Sequence, residues 1–245
     1  MTNSADDQAN PAFCPSGLAG GTCAGCKVRS ASICAALDPD ELHELESLAE
    51  ETYFAGRSTV LMQDDPAGSV YNITSGTVRL YKLLADGRRQ IVGFLLPGDF
   101  IGLSLGERQM FSADAIEPVT VCRFARTAFA ALIDQKPHLL RRLHAAATHE
   151  LTVAQDHMVL LGRRGAEERI AGFLVNLRDR LLRLGRSGVT LPLPMTRQDI
   201  ADYLGLTIET VSRMITKLAR DRVLLVVPGG IRVLDNSRLD ALVQN

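Results

Sequence analysis

The chain has 245 residues, 46% of them hydrophobic, and a formal net charge of -1, enough for two small domains or one large one with a real core. No run approaches the roughly 18 uncharged apolar residues of a membrane span. The polar, acidic N-terminus lacks the basic and apolar regions of a secretory signal, so a cytoplasmic location is expected. In that compartment the five cysteines read as metal ligands, redox thiols or buried apolar residues rather than disulfides. The near-zero charge hides an asymmetry: residues 1–162 carry 13 Lys/Arg and 19 Asp/Glu, whereas residues 163–232 carry 13 and 7. A basic C-terminal part beside an acidic N-terminal one is a nucleic-acid signal, although solvated surface arginines would give the same count.

Residues 1–36 read as a loop holding four of the five cysteines. A short helix is expected over Asp38–Glu50, with Asp38 as cap, Pro39 in the first turn and Leu42, Leu45 and Leu48 recurring. Between Thr52 and Phe124, short β-rich runs alternate with turn residues, Asp86-Gly87 marking a tight hairpin. This spacing suggests a small β-sandwich or roll over 37–136. A helical turn is expected at Ala128–Ile133. A long helix then spans 137–162, with His144, Ala147, Leu151, Ala154, Met158 and Leu161 on one seam of alternating three- and four-residue steps. A second helix over Ala166–Leu184 ends at Gly185. The remainder, within a domain over 163–245, reads as two short helices, a hairpin around Pro228-Gly229-Gly230 and a terminal helix from Ser237. The fold class is therefore α+β.

The two short helices carry the strongest motif. Ile200, Ala201 and Leu204 form one apolar face, Gly205 supplies the turn, Thr207 caps the next helix, and Val211, Ile215 and Leu218 anchor it. This is the layout of a helix-turn-helix whose second helix enters a major groove of double-stranded DNA. Arg213 suits bidentate donation to guanine, Glu209 can accept from cytosine, and Thr210 and Ser212 lie on the same outer side. Arg197, Lys217 and Arg220 are expected on phosphates, where they position without specifying. Two helices packed in an ordinary core are the bland alternative, against which the cap, the turn glycine and the basic surroundings all argue.

Cys23-x2-Cys26-x7-Cys34 and the distant strand residue Cys122 could bring four thiolates to one centre, zinc or an iron–sulfur cluster; the local pattern alone leans to zinc. A buried strand thiol is the alternative for Cys122. Cys14, before Pro15, does not fit the set. The histidines are scattered, no catalytic constellation stands out, and the chain is not expected to be an enzyme.

The order of roll, long helix and winged helix-turn-helix, with Pro97-Gly98-Asp99-Phe100-Ile101-Gly102, Ala166-Glu167-Glu168-Arg169 and Glu209-x-x-Ser212-Arg213, resembles the CRP/FNR superfamily of dimeric bacterial regulators over nearly the whole length. The resemblance implies a homodimer through the long helix, a TTGAT-like palindromic operator, and contact of the Asp86-Gly87 hairpin with RNA polymerase. It also implies that Cys23, Cys26, Cys34 and Cys122 hold an oxygen-labile [4Fe–4S] cluster. The seven residues between Cys26 and Cys34, against five in the best-known members, are similar to the spacing of FixK-like proteins. Leu103 and Phe111 stand where cyclic-AMP binders carry an acid and an arginine, so no cyclic nucleotide is expected. A zinc-stabilised or haem-linked nitric-oxide or redox sensor on the same DNA-binding frame, and a metal-dependent redox protein or enzyme, are the rival readings.

Overall fold

The structure, a computed structural model, describes residues 23, 25–103, 106–163, 165–186 and 190–244. Cys14 and the glycine-rich stretch Gly20–Thr22 lie outside them. Two single turns of 3-10 helix, Arg29–Ala31 and Ile33–Ala36, precede α1 (Pro39–Ser47). Asp38 starts α1 through a reciprocal cap: its carboxylate accepts from the Glu41 N–H at 2.9 Å, and Glu41 accepts from the Asp38 N–H at 3.2 Å. The roll follows: β1 (Ala49–Phe54), β2 (Thr59–Leu61), β3 (Ser69–Ser75), β4 (Val78–Leu83), β5 (Arg89–Leu95), β6 (Phe100–Ile101), β7 (Ser112–Ala115) and β8 (Val119–Ala125). They form two four-stranded sheets, β1-β8-β3-β6 and β2-β7-β4-β5. Helices α2 (Arg126–Gln135), α3 (Pro137–Arg163) and α4 (Ala166–Arg183) lead to the C-terminal unit. That unit comprises β9 (Thr190–Pro192), α5 (Arg197–Leu204), α6 (Ile208–Arg220), β10 (Leu224–Val227), β11 (Gly230–Val233) and α7 (Asn236–Gln244).

The alternating strands give each sheet two faces, and all of them are used. Ile73, Ile101, Val119 and Val121 from the first sheet meet Val60, Val78, Leu95 and Ala113 from the second in a shared core. The opposite face of the first sheet presents Val70, Phe124 and Phe100 to the 3-10 turns, α1, α2 and the start of α3. The opposite face of the second presents Tyr81, Ile91 and Phe94 to the core of α4, α5 and α6. The roll thus separates the cysteine segment from the helix-turn-helix by two packed sheets.

Some elements differ from their sequence signals. The first helix stops at Ser47 and Ala49 already pairs with Phe124, so Glu50 lies in a strand; strand pairing outweighs the leucine repeat there. Strand β7, Ser-Ala-Asp-Ala, is buried along its whole length and shows no alternation. Helix α2 runs ten residues rather than one turn. The hairpin at Asp86-Gly87 forms as expected, with Gly87 at φ 79.

Phe124 is the centre of the outer-face core, its ring 6.5 Å from that of Phe100 and 5.3 Å from that of Phe129. Phe124→Ala should cost about 3–5 kcal/mol, read by urea unfolding. A loss under 1 kcal/mol would show that this face contributes little to stability.

Candidate cysteine site and nucleic-acid interface

The four described cysteines are thiols rather than disulfides. Cys34 sits in the second 3-10 turn, where its N–H donates to Ser32 Oγ at 3.2 Å. It is buried with Ile33, Leu37, Phe124, Phe129 and Leu139, and Cys23 and Cys122 are half-buried against the same cluster. Cys26 follows Cys23 in a tight turn, its N–H donating to the Cys23 carbonyl at 3.3 Å. Burial pushes the Cys34 thiol above its ordinary pKa, and the neighbouring Cys26 adds to that while the Ser32 bond opposes it. Among the described residues no three His, Cys, Asp or Glu side chains converge closely enough to hold a metal ion. The donor chemistry nevertheless fits a thiolate centre, because both segments reach the same face.

That face has a row of cross-strand partners. Cys122 of β8 stands opposite Glu51 of β1 on one side and Asn72 of β3 on the other, and Asn72 in turn stands opposite Phe100 of β6. Asn72 is 2% exposed, and its Oδ1 is buried without a hydrogen-bond partner.

Helix α3 begins on this same cluster through Leu139 and Leu143. Further along, His144, Ala147, Leu151, Ala154 and Met158 are exposed in the single chain, Leu151 at 58% and Met158 at 62%. Leu140, 54% exposed, extends this seam by one four-residue step, which the sequence pattern permits. Leu161, the last seam position, is half-buried, with a methyl near the turn glycine Gly205.

The helix-turn-helix is built as its sequence suggests. Thr196 and Asp199 form a reciprocal cap on α5, Gly205 takes the left-handed conformation at φ 61, and Thr207 accepts from the Thr210 N–H at 3.2 Å to start α6. Val211, Ile215 and Leu218 are buried, while Glu209, Ser212 and Arg213 are exposed and Thr210 is half-buried. Arg213 donates to Thr210 Oγ1 at 3.2 Å, which pre-orients the guanidinium along the helix. A shallow groove of about 280 Å³ is lined by Ser212, Arg213, Thr216, Lys217 and Arg220. Thr216 was not among the expected readers, although its four-residue spacing from Ser212 places it on that face. Lys217 is half-buried and ion-paired with Glu167 of α4. Arg197 is also half-buried, and desolvation works against its charge.

The reading head is fastened to the roll by charge as well as by packing. The Asp199 side chain, 2% exposed, accepts from Arg79 at 3.0 Å and from Arg89 at 2.9 Å. Arg79 also reaches Asp114 at 2.9 Å, and Arg89 reaches Asp202 at 2.8 Å. Beside them the Gln90 amide donates to the Asp202 carbonyl at 2.7 Å, and Tyr203 packs edge-on to Phe94. His157 of α3 stacks on Tyr203 with ring centres 4.1 Å apart, so α3, α5 and the roll meet at one aromatic side chain.

A cavity of about 1020 Å³ lies between the roll and helices α3 and α4. Leu61, Leu80, Ile101, Leu103 and Phe111 line its roll side, and its arginines, Arg142, Arg180 and Arg183, come from the helices. Arg180 is paired with Asp99. No described helix is long and apolar enough to cross a membrane.

These two units define a class: a cyclic-nucleotide-binding-type roll carrying a winged helix-turn-helix. Family models agree, a cyclic nucleotide-binding domain matching residues 51–136 and a Crp-like helix-turn-helix domain matching residues 168–242. The chain belongs to the CRP/FNR family of transcription regulators. It is 54% identical over 220 residues to the nitrogen fixation regulation protein FixK of Bradyrhizobium diazoefficiens, covering 90% of this chain and 93% of that one. Identity to the transcriptional activatory protein AadR of Rhodopseudomonas palustris is 54% over 217 residues, covering 89% and 91%. The activator FnrL of Cereibacter sphaeroides is 37% identical over 206 residues, covering 82% and 83%. The solved structure of FixK2 from Bradyrhizobium japonicum superimposes with a TM-score of 0.74 at 39% identity, covering 79% of this chain and 96% of that one. The protein is thus a FixK- and FnrL-like transcription regulator, and its relatives are DNA-binding regulators rather than enzymes.

Burial would raise the Asp199 carboxyl, but its bonds from Thr196, then Arg79 and Arg89, hold it below its ordinary value. A carboxylate with a lowered folded pKa stabilises fully above the unfolded value of about 3.9; that contribution is lost as pH falls through the folded value. Asp199→Asn keeps an acceptor for the cap and removes the charge. Its melting temperature should lie below that of the parent at pH 7, with the gap closing below about pH 4. A gap that does not change with pH would show that the arginine network adds nothing.

Proposed function

We propose that the protein is an oxygen-responsive regulator of anaerobic or microaerobic genes, in which a [4Fe–4S] cluster on Cys23, Cys26, Cys34 and Cys122 governs dimerisation and binding to a TTGAT-like palindrome. The observation that carries the reading is the arrival of Cys23, Cys34 and Cys122, from segments about a hundred residues apart, on one apolar face that also seats the start of α3. When bound, the cluster supplies an oxygen-labile link between the N-terminal segment and β8. The turn holding Cys34 packs on Leu139 of α3, so fixing that turn fixes the angle at which α3 leaves the roll. The exposed seam from Leu140 to Met158 is the face on which a second copy pairs. Pairing sets two α6 helices on two half-sites one helical turn apart, and a cysteine-side signal acts by favouring that arrangement. At the Asp86-Gly87 hairpin, exposed Leu83 and Leu84 beside the Arg88–Asp86 pair form the surface offered to RNA polymerase.

Anaerobic reconstitution with iron and sulfide, followed by duplex binding before and after exposure to air, tests the reading. Palindrome binding should require the cluster and fall in air. Cys122→Ser should abolish iron–sulfide loading as fully as Cys23→Ser, and Cys14→Ser should leave it intact. Zinc instead of iron and sulfide, or full loading of Cys122→Ser, would overturn the assignment.

Arg213→Ala should weaken binding by about 1–3 kcal/mol per half-site and relax the preference at one base pair, measured by competition among single-base operator variants. An unchanged base preference would mean that α6 enters the groove in a different register.

A further inference from the structure

The side-chain Oδ1 of Asn72 is buried without a hydrogen-bond partner. Asn72 lies on the face that receives Cys34 and Cys23, directly across the strand pair from Cys122. Residues opposed in an antiparallel pair project to the same face with Cβ atoms about 4.5–5.5 Å apart. A buried polar atom left unsatisfied is a standing cost that an apolar residue at the same place would avoid. Val70, two residues earlier on the same face, is such a residue, so the sheet itself does not require an amide at this position.

A carboxamide carries two N–H donors as well as its oxygen, and rotation about its last bond exchanges one for the other. A thiol offers little to such a donor. A thiolate is a full negative charge, and hydrogen bonds to an ionised acceptor are about twice as strong as neutral ones. The N–H donors of Asn72 are therefore poorly matched to the sulfur of a thiol, a weak acceptor, and well matched to a metal-bound thiolate. Glu51, the partner of Cys122 on its other side, has no donor when ionised.

We propose that Asn72 is a positioning residue for the metal-bound form of Cys122: its amide N–H donates to the Cys122 sulfur, orienting the thiolate and slowing loss of the metal. This rests on the iron–sulfur reading above. Partners of this kind behind the metal ligands typically change metal affinity by 10–100-fold when removed.

The test compares the full-length parent protein with Asn72→Leu, both reconstituted anaerobically. Three quantities are read: iron and sulfide per chain, the rate of iron release to a chelator without oxygen, and the thermal stability of the metal-free chain. Asn72→Leu should load the same iron and sulfide, release iron on the order of tenfold faster, and melt no lower than the parent when metal-free. An equal release rate would overturn the proposal while leaving the cluster assignment standing. A metal-free chain that melts well below the parent would also overturn it, by showing that the amide serves the fold. A parent chain that binds no iron and sulfide would remove both readings together.

Discussion

The Asp199 carboxylate accepts hydrogen bonds from the N–H and hydroxyl of Thr196 at the start of its own helix and from two arginines of the roll, so one carboxylate both starts α5 and fastens the reading head to β4 and β5. A charge removed this far from water is tolerated only when fully paired. Replacing it with a packed apolar side chain could be as stable, but would not specify where the head sits. Arg79 and Arg89, with Phe94 against Tyr203, make the docking directional. The geometry of the DNA-reading surface therefore depends on the roll's second sheet as well as on the α3–α4 connection.

The same economy of faces sets the cysteine-bearing side and the reading head on opposite sides of one core, which is the route a signal would take under the proposed function. The first sheet carries Cys122, with Cys23 and Cys34, on its outer side, the second carries the reading head on its outer side, and the two share one dense core. Close-packed interiors transmit displacement rather than absorb it. Helix α3 adds a parallel route, starting against the cysteine cluster at Leu139 and reaching Tyr203 through His157.

Much of this architecture was legible in the chain. Caps at Asp38 and Thr207, the turn glycine Gly205 and the heptad-like steps of α3 are local signals, and local energetics decided them. The strands Phe100–Ile101 and Ser112–Ala115 were not legible, because their burial comes from neighbours distant in sequence rather than from their own alternation. The outer face of α6 followed from helical spacing, but the pairing of Lys217 with Glu167 did not, since it needs the crossing of α4 and α6. The roll–head network was equally hidden: Arg79 and Asp199 are 120 residues apart, and nothing near either one announces the other. For the cysteines, spacing identified candidates, whereas the neighbourhood they share emerged only when β8 was seen to lie under the N-terminal turns.

The Lys217–Glu167 pair also bears on ion release at the DNA. The dependence of affinity on salt counts cations displaced from phosphates, at about 0.9 per neutralised phosphate in the logarithmic slope. A lysine already neutralised by a glutamate of its own chain brings little net charge to the duplex. Each protomer therefore presents a smaller electrostatic footprint than its count of basic residues implies. On a bound duplex, such a lysine would add less to the salt dependence of affinity than one that stands unpaired.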